Sequence, residues 1–155
     1  MPDASTDPHA PRRRWMAALA RARRDELETA AARLAPLPDY AVLRPAEVGL
    51  VMVEGRAGGS GDRFPVGEMT VTRCTVRLGD GTAGHAWIAG RDGRHAELAA
   101  MFDALLQRAD WHDRVRDDVI EPLRDTAAAR RGTRAREAAA TRVDFFTVLR
   151  GEDAP

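Results

Sequence analysis

The chain has 155 residues, 44% hydrophobic and 31% charged, which suits one globular domain and excludes disorder of the chain as a whole. Its 24 basic residues balance 24 acidic ones, which argues against a general nucleic-acid or membrane-surface binder, because phosphate surfaces select a positive excess. The single cysteine, Cys74, excludes an internal disulfide and any zinc site or iron–sulfur cluster built from several cysteines of this chain alone.

Every basic residue is arginine, so Schiff-base chemistry and a Walker-type phosphate loop, which need lysine, are excluded as well. Residues Met1–Pro11 are polar and proline-rich, with no apolar run behind them. They are expected to be a disordered N-terminal tail before a single domain over 12–155. No stretch approaches the roughly 20 apolar residues that span a bilayer, and the expected location is cytoplasmic.

Arg14–Leu34 reads as one helix, with Met16, Leu19, Ala20, Leu27, Ala31 and Leu34 near one face. Pro36 and Pro38 stop it. Val48–Glu54 is a short valine-rich run whose length predicts a buried strand. Gly55–Arg63 follows as a glycine-rich loop. Val66–Leu78 alternates with period two, placing Arg73 and Arg77 on one face and Cys74, Val76 and Leu78 on the other. Gly79-Asp80-Gly81 predicts a hairpin with a primed turn, and Thr82–Ala89 is the return strand.

Asp92 is a cap for a helix to about Ala109, with Leu98, Phe102, Leu105 and Leu106 on its apolar face. A second helical stretch starts near Trp111, is kinked or restarted at Pro122, and is punctuated at Gly132. Thr133–Ala140 reads as helix, and Val143–Leu149 as a terminal strand. The fold class is therefore α+β: an antiparallel sheet of three or more strands, an N-terminal helix, and a C-terminal helical region with a terminal strand.

The chemical signals are weak one at a time. Arg56, Gly58, Gly59, Gly61 and Arg63 could form a nest of backbone N–H groups with two guanidiniums that binds an anion, or simply a flexible connection between strands. His85 and His95 have no zinc-ligand spacing around them, and are expected to be a hydrogen-bonded strand residue and a surface helix residue. Cys74 lies on an alternating strand with no sequence neighbour to activate it, so a packing role is expected. The arginine-rich segments Arg12–Arg14, Arg21–Arg24 and Arg130–Arg136 are interleaved with acids and read as solvated helix faces.

Four blocks, taken together, carry a family resemblance. They are RRRWMAALARA (Arg12–Ala22), GLVMVEGRAGGSGDRFPVGEMTVTRCTVRL (Gly49–Leu78), GHAWIAGRDGRHAELAAMFDALLQ (Gly84–Gln107) and TRVDFFTVLRG (Thr141–Gly151). In content, order and spacing they resemble the PhnG family, the small G subunit of the bacterial carbon–phosphorus lyase core complex. The likeness is thin in Met1–Pro11 and in Ala109–Arg136.

The resemblance implies a cytoplasmic complex with H-, I- and J-type subunits that acts in phosphonate catabolism. That complex places a phosphonate on C1 of the ATP ribose and releases adenine. ATP and the phosphonate are substrates of the complex, and no cofactor is expected on this chain alone. The expected role is an accessory, architectural subunit of a transferase complex, without catalytic residues, a metal or turnover of its own. Two alternatives follow from the residues. One is that Arg56, Arg63, Arg73 and Arg77 lend guanidiniums to a shared nucleotide or phosphonate site. The more remote one is an independent phosphate-binding enzyme. The terminal block, with Arg142, Asp144, Phe145 and Phe146, reads either as a core strand of the chain's own sheet or as a subunit interface, where buried aromatics concentrate binding energy.

Overall fold

A computed structural model of the chain describes residues 7–141. The terminal block with Arg142, Asp144, Phe145 and Phe146 lies outside the described residues, as does the expected strand over Val143–Leu149. In chain order the elements are α1 (Ala10–Arg21), α2 (Arg24–Leu34), β1 (Tyr40–Arg56), β2 (Arg63–Leu78), β3 (Ala83–Ala89), α3 (Gly93–Leu106), α4 (Ala109–Val115) and α5 (Glu121–Ala140). The expected α+β class, with an antiparallel three-stranded sheet in the order β1-β2-β3, is what the chain adopts.

The single N-terminal helix is in fact two. Ala22 and Arg23 are extended, and the chain restarts when the Glu26 carboxylate accepts the Arg23 backbone N–H at 2.7 Å. Asp25 and Glu26 also place negative charge in the first turn of α2, where the helix dipole favours it. No glycine or proline marks the break, so periodicity alone runs through it.

β1 is longer than the expected Val48–Glu54, because pairing begins at Tyr40. Pro45 masks this. It has no N–H for a ladder, but β1 is an edge strand, and the register shifts between Arg44 and Glu47 where Pro45 sits. The β2–β3 turn also differs from a two-residue primed turn. Only Gly81 has positive φ, at 93°, and its N–H donates to Leu78 O at 2.9 Å. This is a three-residue loop that ends in a left-handed glycine. Thr82 N–H donates to Asp80 Oδ1 at 2.9 Å, which holds that carboxyl below its ordinary pKa.

α3 is the centre of the molecule. Asp92 caps it by accepting the His95 N–H at 3.0 Å, and it is buried on almost every side from His95 to Leu106. One side lies on Cys74, Val76, Leu78, Ala86 and Ile88 of the sheet, and the core continues to Leu19, Leu27, Leu34, Val115 and Val119. At Gly84 helix and sheet meet without room for a side chain: a Cβ there would sit 2.0 Å from Ala100 O. His95 is therefore a core residue, not a surface one, and its Nε2 lies 2.9 Å from Leu19 O.

The C-terminal region is one continuous helical rod with a π-type stretch at Arg116–Ile120. Pro122 lies in the first turn of α5 and cannot donate to Asp118 O, four residues back. The Arg33 guanidinium on α2 donates to that carbonyl instead. Gly132 does not punctuate the helix, which runs through it to Ala140.

Candidate functional site

β3 pairs with β2 only from Val71 to Arg77, and Gly90 N–H adds one bond to Thr70 O at 2.9 Å. Beyond Thr70 the sheet has two strands. Leu50↔Thr70, Val51↔Met69, Met52↔Glu68 and Val53↔Gly67 continue to Arg56↔Arg63, with a bulge at Val66. Seven β1 residues at about 3.4 Å each give an arm on the order of 20 Å long.

This arm reverses the sequence expectation for Val48–Glu54. Apolar side chains on both faces predict burial on both faces. Instead Leu50 is 62%, Met52 59% and Val66 62% exposed, and Val53, Phe64 and Met69 are exposed as well. The residues are strand residues as expected, but nothing in the described chain covers them. A two-stranded ribbon without cover is marginal in water. Scattered exposed apolar residues are ordinary, whereas six on one projecting ribbon mark an interaction surface.

The candidate anion-binding residues fall in two places. Arg56 and Arg63 face each other at the tip of the arm, where Arg56 Nη1 donates to Gly61 O at 3.2 Å and Arg63 lies 3.7 Å from Glu54. Gly58 and Gly59 are both left-handed, with φ of 58° and 82°. Gly61 N–H is taken by Ala57 O at 2.8 Å, so part of the supposed nest is spent inside the loop. Arg73 and Arg77 lie on the outer face of the sheet. Arg73 is ten residues from Arg63 along β2, or about 33 Å. The four guanidiniums therefore do not converge. Arg73 already donates through Nε to Glu47 at 3.0 Å and stands 5.6 Å over the Trp87 ring.

Cys74 is buried, and its thiol donates to Arg44 O at 3.4 Å. Burial first, and then the Glu97 charge, push the thiol pKa up, which keeps it protonated rather than nucleophilic. The outer-face His85 places Nδ1 3.1 Å from Thr75 Oγ1. Burial, and a hydrogen bond from Tyr40 Oη to Glu97, raise the Tyr40 pKa. Among the described residues, no three of His, Cys, Asp and Glu gather closely enough to hold a metal ion.

Asp103 carries no motif that marks it in the sequence. This fully buried carboxylate receives Arg12 through Nε at 3.2 Å and Nη2 at 2.7 Å, Trp15 Nε1 at 2.8 Å and His85 N–H at 2.9 Å. It ties α1 and β3 to α3. The available signal was an acid on the apolar face of α3, which only a partnered carboxylate can occupy. The carboxylate's partners all lie within the chain, so its role is to hold the fold.

Comparison with known proteins agrees with the region described. The profile of a family described as "Phosphonate metabolism protein PhnG" matches residues 10–151. A protein of Rhizobium meliloti (strain 1021), named "Alpha-D-ribose 1-methylphosphonate 5-triphosphate synthase subunit PhnG", is 48% identical over 148 residues, covering 93% of this chain and 92% of that protein.

Proposed function

The chain belongs to the PhnG family, and from that premise we propose that it is the corresponding subunit of an alpha-D-ribose 1-methylphosphonate 5-triphosphate synthase in phosphonate metabolism. The near full-length identity to the Rhizobium subunit carries this reading. In the reaction a phosphonate oxygen bonds to ribose C1 of ATP as the bond from C1 to adenine breaks, and adenine leaves.

The subunit's part is assembly. Its most exposed apolar surface, the β1–β2 arm, has a composition that asks for cover. Burying one large apolar side chain contributes roughly 1.5–3 kcal/mol, so six of them can hold an obligate interface even after the losses of association. The partners are the H-, I- and J-type subunits of the complex, which works in the cytoplasm. The chain does not turn over alone. Arg56, Arg63, Arg73 and Arg77 are too far apart to bind one anion together, which favours assembly over a shared arginine site.

The test is adenine release from ATP with methylphosphonate. It is expected from the assembled subunits and not from the purified chain. Robust release by the chain alone would overturn the accessory role. Full activity of the other subunits without this chain would overturn the requirement for it.

A further inference from the structure

Arginines of all three arginine-rich segments, the last more than a hundred residues from the first two in sequence, meet in space. Arg13, Arg14 and Arg21 of α1 and Arg124 and Arg131 of α5 line one open groove of about 700 Å³. Glu121 and Asp125 are the acids beside them. Arg13 pairs with Asp7, and Arg124 with Glu121 at 2.9 Å. Arg14, Arg21 and Arg131 have no acidic partner within ion-pair distance among the described residues, so the groove is positive.

The arginines form two rows with one repeat. Arg14 and Arg21 are seven residues apart on α1, and Arg124 and Arg131 are seven apart on α5, or about 10.5 Å in each case. Along α1, Ala17 and Ala18 come between Arg14 and Arg21, along α5 Ala127 and Ala128 come between Arg124 and Arg131, and all four alanines line the groove. α5 itself is short of cover: of its 20 residues, only Leu123 is buried. A helix polar on nearly every side needs something beyond its own packing to be held in place.

We propose that this groove is the docking site for an acidic amphipathic helix of a partner subunit, an inference that rests on the assembly reading above. A helix with Glu or Asp seven apart repeats at the same 10.5 Å or so and can meet one arginine row. The alanine floor lets its backbone approach to about 8–10 Å between axes, the spacing of ordinary helix packing. Glu121 and Asp125 can then face basic positions a turn away on the incoming helix. An oligophosphate needs neither a two-turn repeat nor a methyl floor, and it would be repelled by both carboxylates.

The experiment uses the complex co-expressed from all its subunits. p-Benzoylphenylalanine replaces Ala128 on the groove floor, and the cross-linked peptide is read by mass spectrometry. The expected result is one partner segment with acidic residues three, four or seven apart. In parallel, Arg14→Glu, Arg21→Glu and Arg131→Glu together are expected to lower partner retention about tenfold near physiological salt, because charge pairs across an interface select partners. Circular dichroism must show the variant folded, and Arg→Gln at the same sites should give a smaller loss. An assembled complex with no cross-link at Ala128, or a cross-link to a segment without acids, overturns the proposal and leaves the assembly reading intact. Saturable tripolyphosphate binding to the isolated chain, lost in the triple variant and with no cross-link, assigns the groove to phosphate and also overturns it. Failure of the unmodified subunits to assemble removes both.

Discussion

Asp103 and Cys74 are two buried polar groups held in different ways. Asp103 accepts from the Arg12 guanidinium, the Trp15 indole, the His85 N–H and the Gln107 amide. Removing it leaves Arg12, Trp15 and the His85 N–H without their acceptor. Asp103→Ala is expected to destabilise the fold by about 3 kcal/mol, the scale of breaking a partly buried pair from one side, as measured by urea unfolding. A loss below about 1 kcal/mol would mean that water replaces the carboxylate freely.

Cys74 is kept neutral by burial, and its folded pKa is raised. The sign follows from linkage. Below the unfolded thiol pKa of about 8.5 both states are protonated, and the contribution is intact. Above it the unfolded chain gains by ionising while the folded chain does not, so stability falls as pH rises. Cys74→Ala is expected to lose less stability than the wild type between about pH 8 and pH 10, measured by thermal melting against pH. Parallel curves would contradict this account of the thiol. Tyr40, also raised, is present in both proteins and cancels in the comparison.

At the scale of elements, Gly84 is where α3 crosses β3 with no room for a side chain. Gly84→Ala places a methyl 2.0 Å from Ala100 O and 2.6 Å from Ala104 N, both backbone atoms that cannot swing aside. Overpacking of this kind destabilises by about 1–3 kcal/mol or more. The control is Gly67→Ala on the arm, where nothing lies within 4 Å. It is expected to leave the melting temperature within about 2 °C of wild type. Similar effects from the two substitutions would contradict the packing of α3 on β3.

The same elements show what the sequence could and could not say. The β2 alternation, the Asp92 cap and the apolar face of α3 were legible because each obeys a local rule that the tertiary structure also needs. The α1–α2 break was hidden because its cap is an arginine with Glu26 reaching back, without the usual Ser, Thr, Asp or Asn. The part of β1 before Val48 was hidden by Pro45, which only an edge strand tolerates. Gly132 looked like a stop, yet a single glycine inside a long helix costs only about 1 kcal/mol. Of the candidate site, the residues of the arm were visible but their exposure was not. A strand apolar on both faces looks the same in sequence whether its own chain or another covers it. The groove between α1 and α5 needed the fold, since no pattern links Arg14 to Arg131.

Over the whole molecule, one part packs on itself and the other does not. The core around α3 is closed, with no buried side-chain polar atom left without a partner among the described residues. The β1–β2 arm projects from it as an open two-stranded ribbon with apolar side chains on both faces. Leu50→Ser with Met52→Ser should therefore leave the isolated chain folded, because neither side chain belongs to the core. The double variant should nevertheless fail to enter the complex. If it neither folds nor melts cooperatively, the arm is part of the chain's own stability.

The central claim, that the arm is the surface by which this subunit joins its complex, is tested most directly by amide hydrogen exchange of the chain alone and within the assembled synthase. The outer hydrogen-bonding edge of β1 from Leu50 to Gly55 should exchange quickly in the free chain and become protected by at least about tenfold in the complex, while α3 stays protected in both. Equal exchange of those β1 amides in the two states, with assembly confirmed in the same sample, would contradict the claim.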